Sequence, residues 1–314
     1  MSKRSFNKDM LDDRNGSTDF ADSVLSVNTL QQFAVTKKRC LSFHGEKITN
    51  VVEGTTSHIG LEEEAVETQS LWKRFYKLEC ELNAALRNIV VPNNITHVYN
   101  PLEYASNLHC AYLRKFLNGP KSVVFVGMNP GPNGMGQTGV PFGNITTVRN
   151  EMALSGSVQQ PVSVHEKRPV FGLECTVEEP SGARLWSLFK KLAGGSLSIF
   201  AEKCFVHNFC PLICYDKAGR NITPNELKGD YKSIVGKVCL DVLDLELDLM
   251  QPEILVPIGE YMNAMVKRSR HVNRLKIYKL HHPSPRSLNN QNWPEKAEKL
   301  LEDYDLVKYI RNEF

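Results

Sequence analysis

The spacing of apolar positions divides the chain into two stretches of different character. Over residues 1–68 apolar side chains are sparse and irregular among Ser, Thr, Asn and Asp, so neither a helical nor a strand period can be followed. A disordered or weakly ordered tail is expected there. Beyond it the pattern sharpens. Between residues 67 and 88, Leu71, Trp72, Phe75, Leu78, Leu82, Ala85 and Leu86 recur at helical spacing and predict one buried helical face. Residues 122–126, SVVFV, form an unbroken β-branched run closed by Gly127, which predicts a strand covered on both faces. A helix over 184–192 closed by Gly194-Gly195, a strand over 203–207, a helical stripe over 234–249, a strand over 254–258, a helix over 261–268, a strand over 276–280 and a last helix over 294–310 follow. Thr223-Pro224-Asn225-Glu226 has the capping-box form with proline at the first helical position, and predicts a helix start. Strands alternating with helices give an α/β fold, a mainly parallel sheet flanked by helices. No linker divides residues 69–314, so one domain is expected to follow the tail.

Composition narrows the class. The 314 residues are 41% hydrophobic and 23% charged, within the globular range. No apolar run reaches the roughly 18 residues that span a bilayer, so no membrane partner is expected. The first residues lack the apolar core of a secretory signal, so the Asn-x-Thr triplets at Asn94, Asn144 and Asn221 carry no meaning for glycosylation. Eight scattered cysteines (40, 80, 110, 175, 204, 210, 214, 239) form no C-x-x-C pair and are expected to be reduced thiols, mostly core fillers.

Charge is unevenly placed. Residues 1–68 hold 8 Lys+Arg against 11 Asp+Glu, whereas residues 69–314 hold 30 against 24. Between positions 261 and 294 there is no acidic residue, while Lys267, Arg268, Arg270, Arg274, Lys276, Lys279 and Arg286 all fall there. Such a stretch suits a polyanion, although a solvated basic face without a partner reads the same way. Lys37-Lys38-Arg39 has the form of a minimal nuclear signal, and a nuclear location is the expectation.

In open parallel sheets ligands bind beyond the carboxyl ends of the strands, and the segments there are the unusual ones. The first predicted strand runs into GMNPGPNGMGQTGVPFG (127–143), the second into HNFCPL (207–212), the fourth into HHPSPRS (281–287). The first loop has the backbone openness of glycine and the stiffness of proline. It lacks the lysine and hydroxyl of a phosphate-binding loop and does not open a helix as a dinucleotide fingerprint does. It places Asn129 at a strand end and Phe142 further on, an aromatic beside backbone amides that suits a flat heterocycle, or a packed phenylalanine in a tight connection. Asn208 at the end of the second strand offers a donor and an acceptor that can read an imide edge, or simply bond to backbone. His281 and His282 point to opposite faces, so they do not serve one metal, and no metal site is expected.

Together these segments resemble the uracil-DNA glycosylase superfamily, and within it the single-strand-selective monofunctional branch: GMNPGP with GMGQTGVPFG, then HNFCPL, then HPSPR, in order, across residues 69–312. The resemblance implies a four-stranded parallel sheet flanked by helices, and excision of a flipped base from DNA. It implies that Asn129 positions water, that Met128 and Gly131 line the pocket near the base C5 edge, that Phe142 stacks on the base, that Asn208 bonds the O4 and N3 edge and that His282 faces O2. Pro283, Ser284, Pro285, Arg286 and Ser287 resemble the wedge that fills the gap left in a duplex. Single- and double-stranded DNA containing uracil or oxidised pyrimidines such as 5-hydroxymethyluracil are the implied partners, with a monomeric protein and no metal or organic cofactor. With no Asp or Glu in the loop near Asn129, water is expected to be oriented rather than deprotonated, and with no lysine there a lyase is not expected. Asn133 and the sequence after Arg286 depart from the family pattern. Three other readings stand beside this one: a mismatch-specific uracil or thymine glycosylase, from which HPSPR differs; a non-catalytic lesion- or RNA-binding module on the same fold; and a nucleotide-binding α/β hydrolase.

Overall fold

The computed structural model describes residues 69–287 and 290–314; the expected tail and the Lys37-Lys38-Arg39 cluster lie outside them. The chain enters through helix α1 (Leu71–Arg87) and a short strand β1 (His97–Tyr99), followed by α2 (Pro101–Tyr104) and α3 (Ser106–Phe116). Strand β2 (Val123–Gly127) leads through the glycine-rich loop, which includes the single turn α4 (Met135–Thr138), to α5 (Pro180–Leu192) and α6 (Leu197–Lys203). Then come β3 (Cys204–Asn208), the short strands β4 (Ile213–Tyr215) and β5 (Asn221–Ile222), and the long helix α7 (Gly229–Met250). Strand β6 (Ile254–Pro257), α8 (Glu260–Val266), β7 (Lys276–Ile277), α9 (Trp293–Asp303) and α10 (Val307–Arg311) complete it.

The main sheet is parallel, in the order β3-β2-β6-β7. All five residues of β2 and of β3 are buried, as an unbroken apolar run requires of a strand covered on both faces. On one face Phe125 packs against Phe189 of α5, ring centroids 4.6 Å apart, and against Phe200 of α6. On the other, Phe205 and His207 meet Phe75 of α1 at 5.6 and 5.2 Å. A second, antiparallel sheet in the order β1-β4-β5 packs Tyr99 on Tyr215 at 4.9 Å. HNFCPL therefore joins the two sheets, since β4 begins one residue after it.

Two expectations are corrected. Half of the capping box forms: the Thr223 amide donates to the Glu226 carboxylate at 2.9 Å, while the Thr223 hydroxyl donates to the same carboxylate instead of accepting the Glu226 amide, which bonds the Thr223 carbonyl at 2.8 Å. They close only a turn, because Lys228 is extended and Gly229 sits at φ 57°, and the helix starts there. The last helix is two helices, broken where Asp305 takes the left-handed φ of 55°. Of the cysteines described, Cys175, Cys204, Cys210, Cys214 and Cys239 are buried and unbridged, as fillers; Cys80 is exposed. No helix among the described residues is long and apolar enough to cross a membrane.

One part of the core is built from ionisable side chains. Behind β3, His109 of α3 donates from Nδ1 to the Gly139 carbonyl and meets Glu79 of α1 through Nε2, both at 2.7 Å. His207 meets Glu246 of α7 at 3.0 Å. Burial disfavours the charged imidazole of His207, but the carboxylates of Glu246 and Glu79 outweigh it and hold its pKa above the ordinary value. Removing one member of a buried pair strands the other, at a cost of about 3–5 kcal/mol. Glu79→Ala is accordingly expected to lower the melting temperature by about 10 °C, read by thermal unfolding; a drop under about 2 °C would show that the pair contributes little.

Candidate active site

The parallel register pairs Gly127 with Asn208, so the last residue of β2 lies beside the last of β3. The pairing continues past both strands, with the Phe209 and Cys210 amides donating to the Gly127 and Met128 carbonyls at 2.9 Å. HNFCPL and GMNPGP thus run side by side. A Cβ on Gly127 would lie 2.3 Å from Asn208 Oδ1 and 2.5 Å from the Phe142 ring, so only glycine lets both side chains reach this point. Asn208 is buried; its Nδ2 faces Met135 Sδ at 3.1 Å, and its Oδ1 has no partner. Phe142 holds a left-handed backbone, φ 54°, a conformation that costs a non-glycine residue about 1–2 kcal/mol. Its surroundings impose it. The Asn144 amide donates to the Phe142 carbonyl at 2.8 Å, Trp186 donates to the neighbouring Pro141 carbonyl at 3.2 Å, and a Cβ on Gly182 would stand 2.1 Å from the Phe142 oxygen.

Asn129 is half-buried in the first loop, and its Nδ2 donates to the Leu212 carbonyl at 3.3 Å, leaving Oδ1 as the end that can accept. Met128 and Gly131 are half-buried on either side. The tip of the loop is fastened from below by Tyr104, whose hydroxyl donates to the Gly136 carbonyl at 2.6 Å. The loop itself carries no Asp or Glu, but the fold brings one to it from elsewhere: Glu179, at the cap position of α5, packs its carboxylate on Gly131. A Cβ on Gly131 would be 2.6 Å from Glu179 Oε2. Burial raises the Glu179 pKa, while the amides of Asn133 and Ser181 and the charge of Arg286 oppose the rise.

HHPSPRS separates its two histidines. His281 is exposed, whereas His282 is half-buried with its ring 6.1 Å from that of Phe142. The strand pairing leads it there: the Gly259 amide donates to the Leu280 carbonyl at 2.8 Å, and Gly259, at φ 91°, abuts the His282 Cβ. His282 Nδ1 accepts the Ser284 amide at 3.1 Å, so the proton of the neutral ring sits on Nε2. The Ser284 hydroxyl accepts the Arg286 amide at 3.2 Å, and Asn290 Nδ2 donates to the His282 and Ser284 carbonyls at 2.9 and 2.7 Å. Pro283 is buried; Pro285, Arg286 and Ser287 are exposed.

Phe142, Asn208 and His282 therefore converge from three loops on one place, and Asn129 stands two residues beyond Gly127 with its amide turned to Leu212. Three contributors escaped the sequence reading: Asn290, Met135 and the segment EEPSGAR (178–184) that begins α5. Besides Glu179 and Gly182, this segment supplies Arg184, which donates to the Pro283 and Asn290 carbonyls at 3.4 and 3.0 Å. A glycine in the first turn of a helix, three residues after a glutamate, was the available signal. Among the described residues Glu79, His207 and Glu246 bring metal-ligating atoms within 4.8 Å of one another. They lie on the far side of β3, since His207 and Asn208 point to opposite faces.

Burial pushes the His282 pKa below its ordinary 6.5. The folded protein takes up this proton at lower pH than the unfolded chain, so the stability carried by the neutral ring is complete above pH 6.5 and is lost as pH falls below it. Nitrogen NMR of His282 should give a midpoint under 6.5 and a neutral form protonated at Nε2. A midpoint at or above 6.5, or a proton on Nδ1, would contradict the geometry.

The model of the uracil DNA glycosylase superfamily matches residues 115–305. A single-strand selective monofunctional uracil-DNA glycosylase of Rattus norvegicus is 38% identical over 248 residues, spanning 78% of this chain and 89% of the relative. The Bos taurus protein of that name is 40% identical over 245 residues, 77% of this chain and 90% of its own. The crystal structure of Pedobacter heparinus SMUG2 superposes with a TM-score of 0.53 over 76% of this chain and 99% of that one, at 15% identity, which shows a shared fold. With three motif loops meeting at the ends of a four-stranded parallel sheet and relatives matched over most of their length, the chain belongs to the uracil-DNA glycosylase superfamily.

Proposed function

We propose that this protein hydrolyses the N-glycosidic bond of uracil, and of C5-oxidised uracils such as 5-hydroxymethyluracil, in single- and double-stranded DNA, leaving an abasic site for base excision repair. The observation that carries the reading is the buried Oδ1 of Asn208, unpartnered beside the Phe142 ring and His282. A buried polar atom without a partner costs about 1–3 kcal/mol, which a bound base with a suitable donor recovers. Uracil offers N3–H to Oδ1 and O4 to Nδ2. Cytosine offers no proton at N3 and a donor where an acceptor is needed, so both amide ends would stay unpaired.

The chemistry assigned to the other residues follows from charge. Cleavage leaves negative charge on the departing uracil and positive charge on the sugar. The Nε2–H of neutral His282 is the donor for the developing O2 anion, and a preorganised donor of this kind stabilises the transition state without rearrangement. Asn129, its Nδ2 held by Leu212, presents Oδ1 to orient the attacking water. Phe142 stacks on the base, and Met128 and Gly131 bound its C5 edge. The loop contains no lysine to form an imine, so the reaction ends at the abasic site. Pro283, Ser284, Pro285, Arg286 and Ser287 form the wedge that occupies the vacated stack; the exposure of positions 285–287 on a segment braced by Asn290 and Arg184 suits that task. The protein acts as a monomer, and the Lys37-Lys38-Arg39 cluster supports the nucleus as its compartment.

The test is a cleavage assay on labelled oligonucleotides carrying one uracil, 5-hydroxymethyluracil, thymine or cytosine, single- and double-stranded, with EDTA present and alkali added afterwards. Alkali-dependent nicking at the two uracils alone is the expected result; retained binding to abasic DNA with no nicking would turn the reading into a lesion-binding module. His282→Ala and Asn129→Ala should each slow excision by about 10²-fold or more, and rates within a few-fold of wild type would refute their roles. Gly127→Ala should lose uracil excision with the circular dichroism spectrum intact, because its methyl group displaces Asn208 and Phe142. Arg286→Ala should slow duplex substrates more than single strands, and equal losses on both would count against a wedge.

A further inference from the structure

The ionisable side chains behind β3 meet in pairs, and the pairs leave polar atoms over. Glu79 Oε2 meets His109 Nε2 at 2.7 Å, and Glu246 Oε2 meets His207 Nε2 at 3.0 Å. Glu79 Oε1, Glu246 Oε1 and His207 Nδ1 are buried without a partner, on residues at most 5% exposed. A buried polar atom left unpaired costs about 1–3 kcal/mol, and more where the group is charged. Two of the three are carboxylate oxygens, which a cation satisfies directly. Glu79 comes from α1, His207 from β3 and Glu246 from α7, and each offers a ligating atom within 4.8 Å of the other two. Ligands about 2.1 Å from a tetrahedral ion stand about 3.4 Å apart, so closing the set asks for a movement of no more than about 1.4 Å. Rotation of a glutamate side chain covers that distance.

We propose that Glu79, His207 and Glu246 form a structural site for a divalent ion of the zinc class. Two carboxylates and an imidazole suit zinc, which takes nitrogen and oxygen ligands in a tetrahedron that a water completes; calcium and magnesium ask for more oxygens than the cluster offers. His109, tied to the Gly139 carbonyl through Nδ1, holds the other oxygen of Glu79 and so orients the ligand from behind. On uptake the ion replaces the proton between His207 and Glu246, which leaves to solvent. Because the ligands are buried, the ion enters as the chain folds, and it ties α1 and α7 to the strand that ends in Asn208. The site lies across β3 from Asn208, so it stands or falls apart from the glycosylase reading and supplies no group to the reaction.

The test is made on the full chain isolated from zinc-supplemented culture and dialysed free of loosely held ions. Elemental analysis should find about one zinc per chain. X-ray absorption at the zinc edge should show nitrogen and oxygen at about 2.0–2.2 Å, with imidazole scattering and no sulfur at about 2.3 Å. Protein isolated under a chelator should melt about 5 °C or more below the zinc-loaded form. Glu246→Gln keeps the shape of glutamate, and circular dichroism confirms that it folds; it should retain about fivefold less zinc or lower still. A chain without zinc, a first shell containing sulfur, equal melting temperatures with and without the ion, or full zinc content in folded Glu246→Gln would each overturn the site. Should that variant fail to fold, the absorption spectrum of the wild type decides alone.

Discussion

The site depends on one register, that of β2 against β3. Because Gly127 pairs with Asn208, the end of one buried strand abuts the side chain at the end of the next, and the absence of a Cβ on Gly127 is what lets Asn208 and Phe142 approach. A slip of one residue would turn Asn208 to the face occupied by His207 and its carboxylate partners, and would bring the His207 ring toward the pocket. The same ladder, prolonged by the Phe209 and Cys210 amides, sets the distance between the loop that bears Asn129 and the segment that anchors its amide through Leu212.

Around that register the molecule invests in rigidity. Phe142 is kept in a backbone conformation it would not choose, by Gly182, Trp186 and Asn144 acting from different directions. Such local strain persists only where neighbours over-determine it. The first turn of α5 is the common support: it touches the glycine-rich loop through Glu179, the Phe142 carbonyl through Gly182 and the histidine loop through Arg184. Two loops far apart in sequence are thus referred to one short piece of helix, and their relative placement does not rely on contacts between the loops alone.

Much of this was legible in the chain. The strands of the main sheet announce themselves as unbroken apolar runs, and the loops after them stand out because Asn129, Asn208 and His282 interrupt glycine, proline and apolar residues where a parallel sheet places ligands. What stayed hidden was whatever local pattern does not encode. Strands β1, β4 and β5 are two or three residues long, shorter than any period can reveal. Glu79 falls on the apolar stripe of α1, four residues after Phe75, but its partner His109 lies on another helix. Glu179 looks like one solvated acid beside Glu178 until the fold brings it onto Gly131. Glu226 bonds the Thr223 amide as in a capping box and still no helix starts there, because Gly229 redirects the chain.

The order of the main sheet also bears on how the protein comes into being. Strand β2 is central, yet both of its neighbours, β3 and β6, are made after it and are reached only through long crossovers. Pairings of this kind delay folding, since chain entropy is lost before the contacts return it. During synthesis β2 emerges with both edges bare, and the face that carries Phe125 waits for α5 and α6, which are not yet translated. His282 comes later still, so the cluster it forms with Phe142 and Asn208 stays incomplete until most of the chain has been made. The interval between the appearance of β2 and its pairing leaves bare strand edges and apolar surface open to association with other chains.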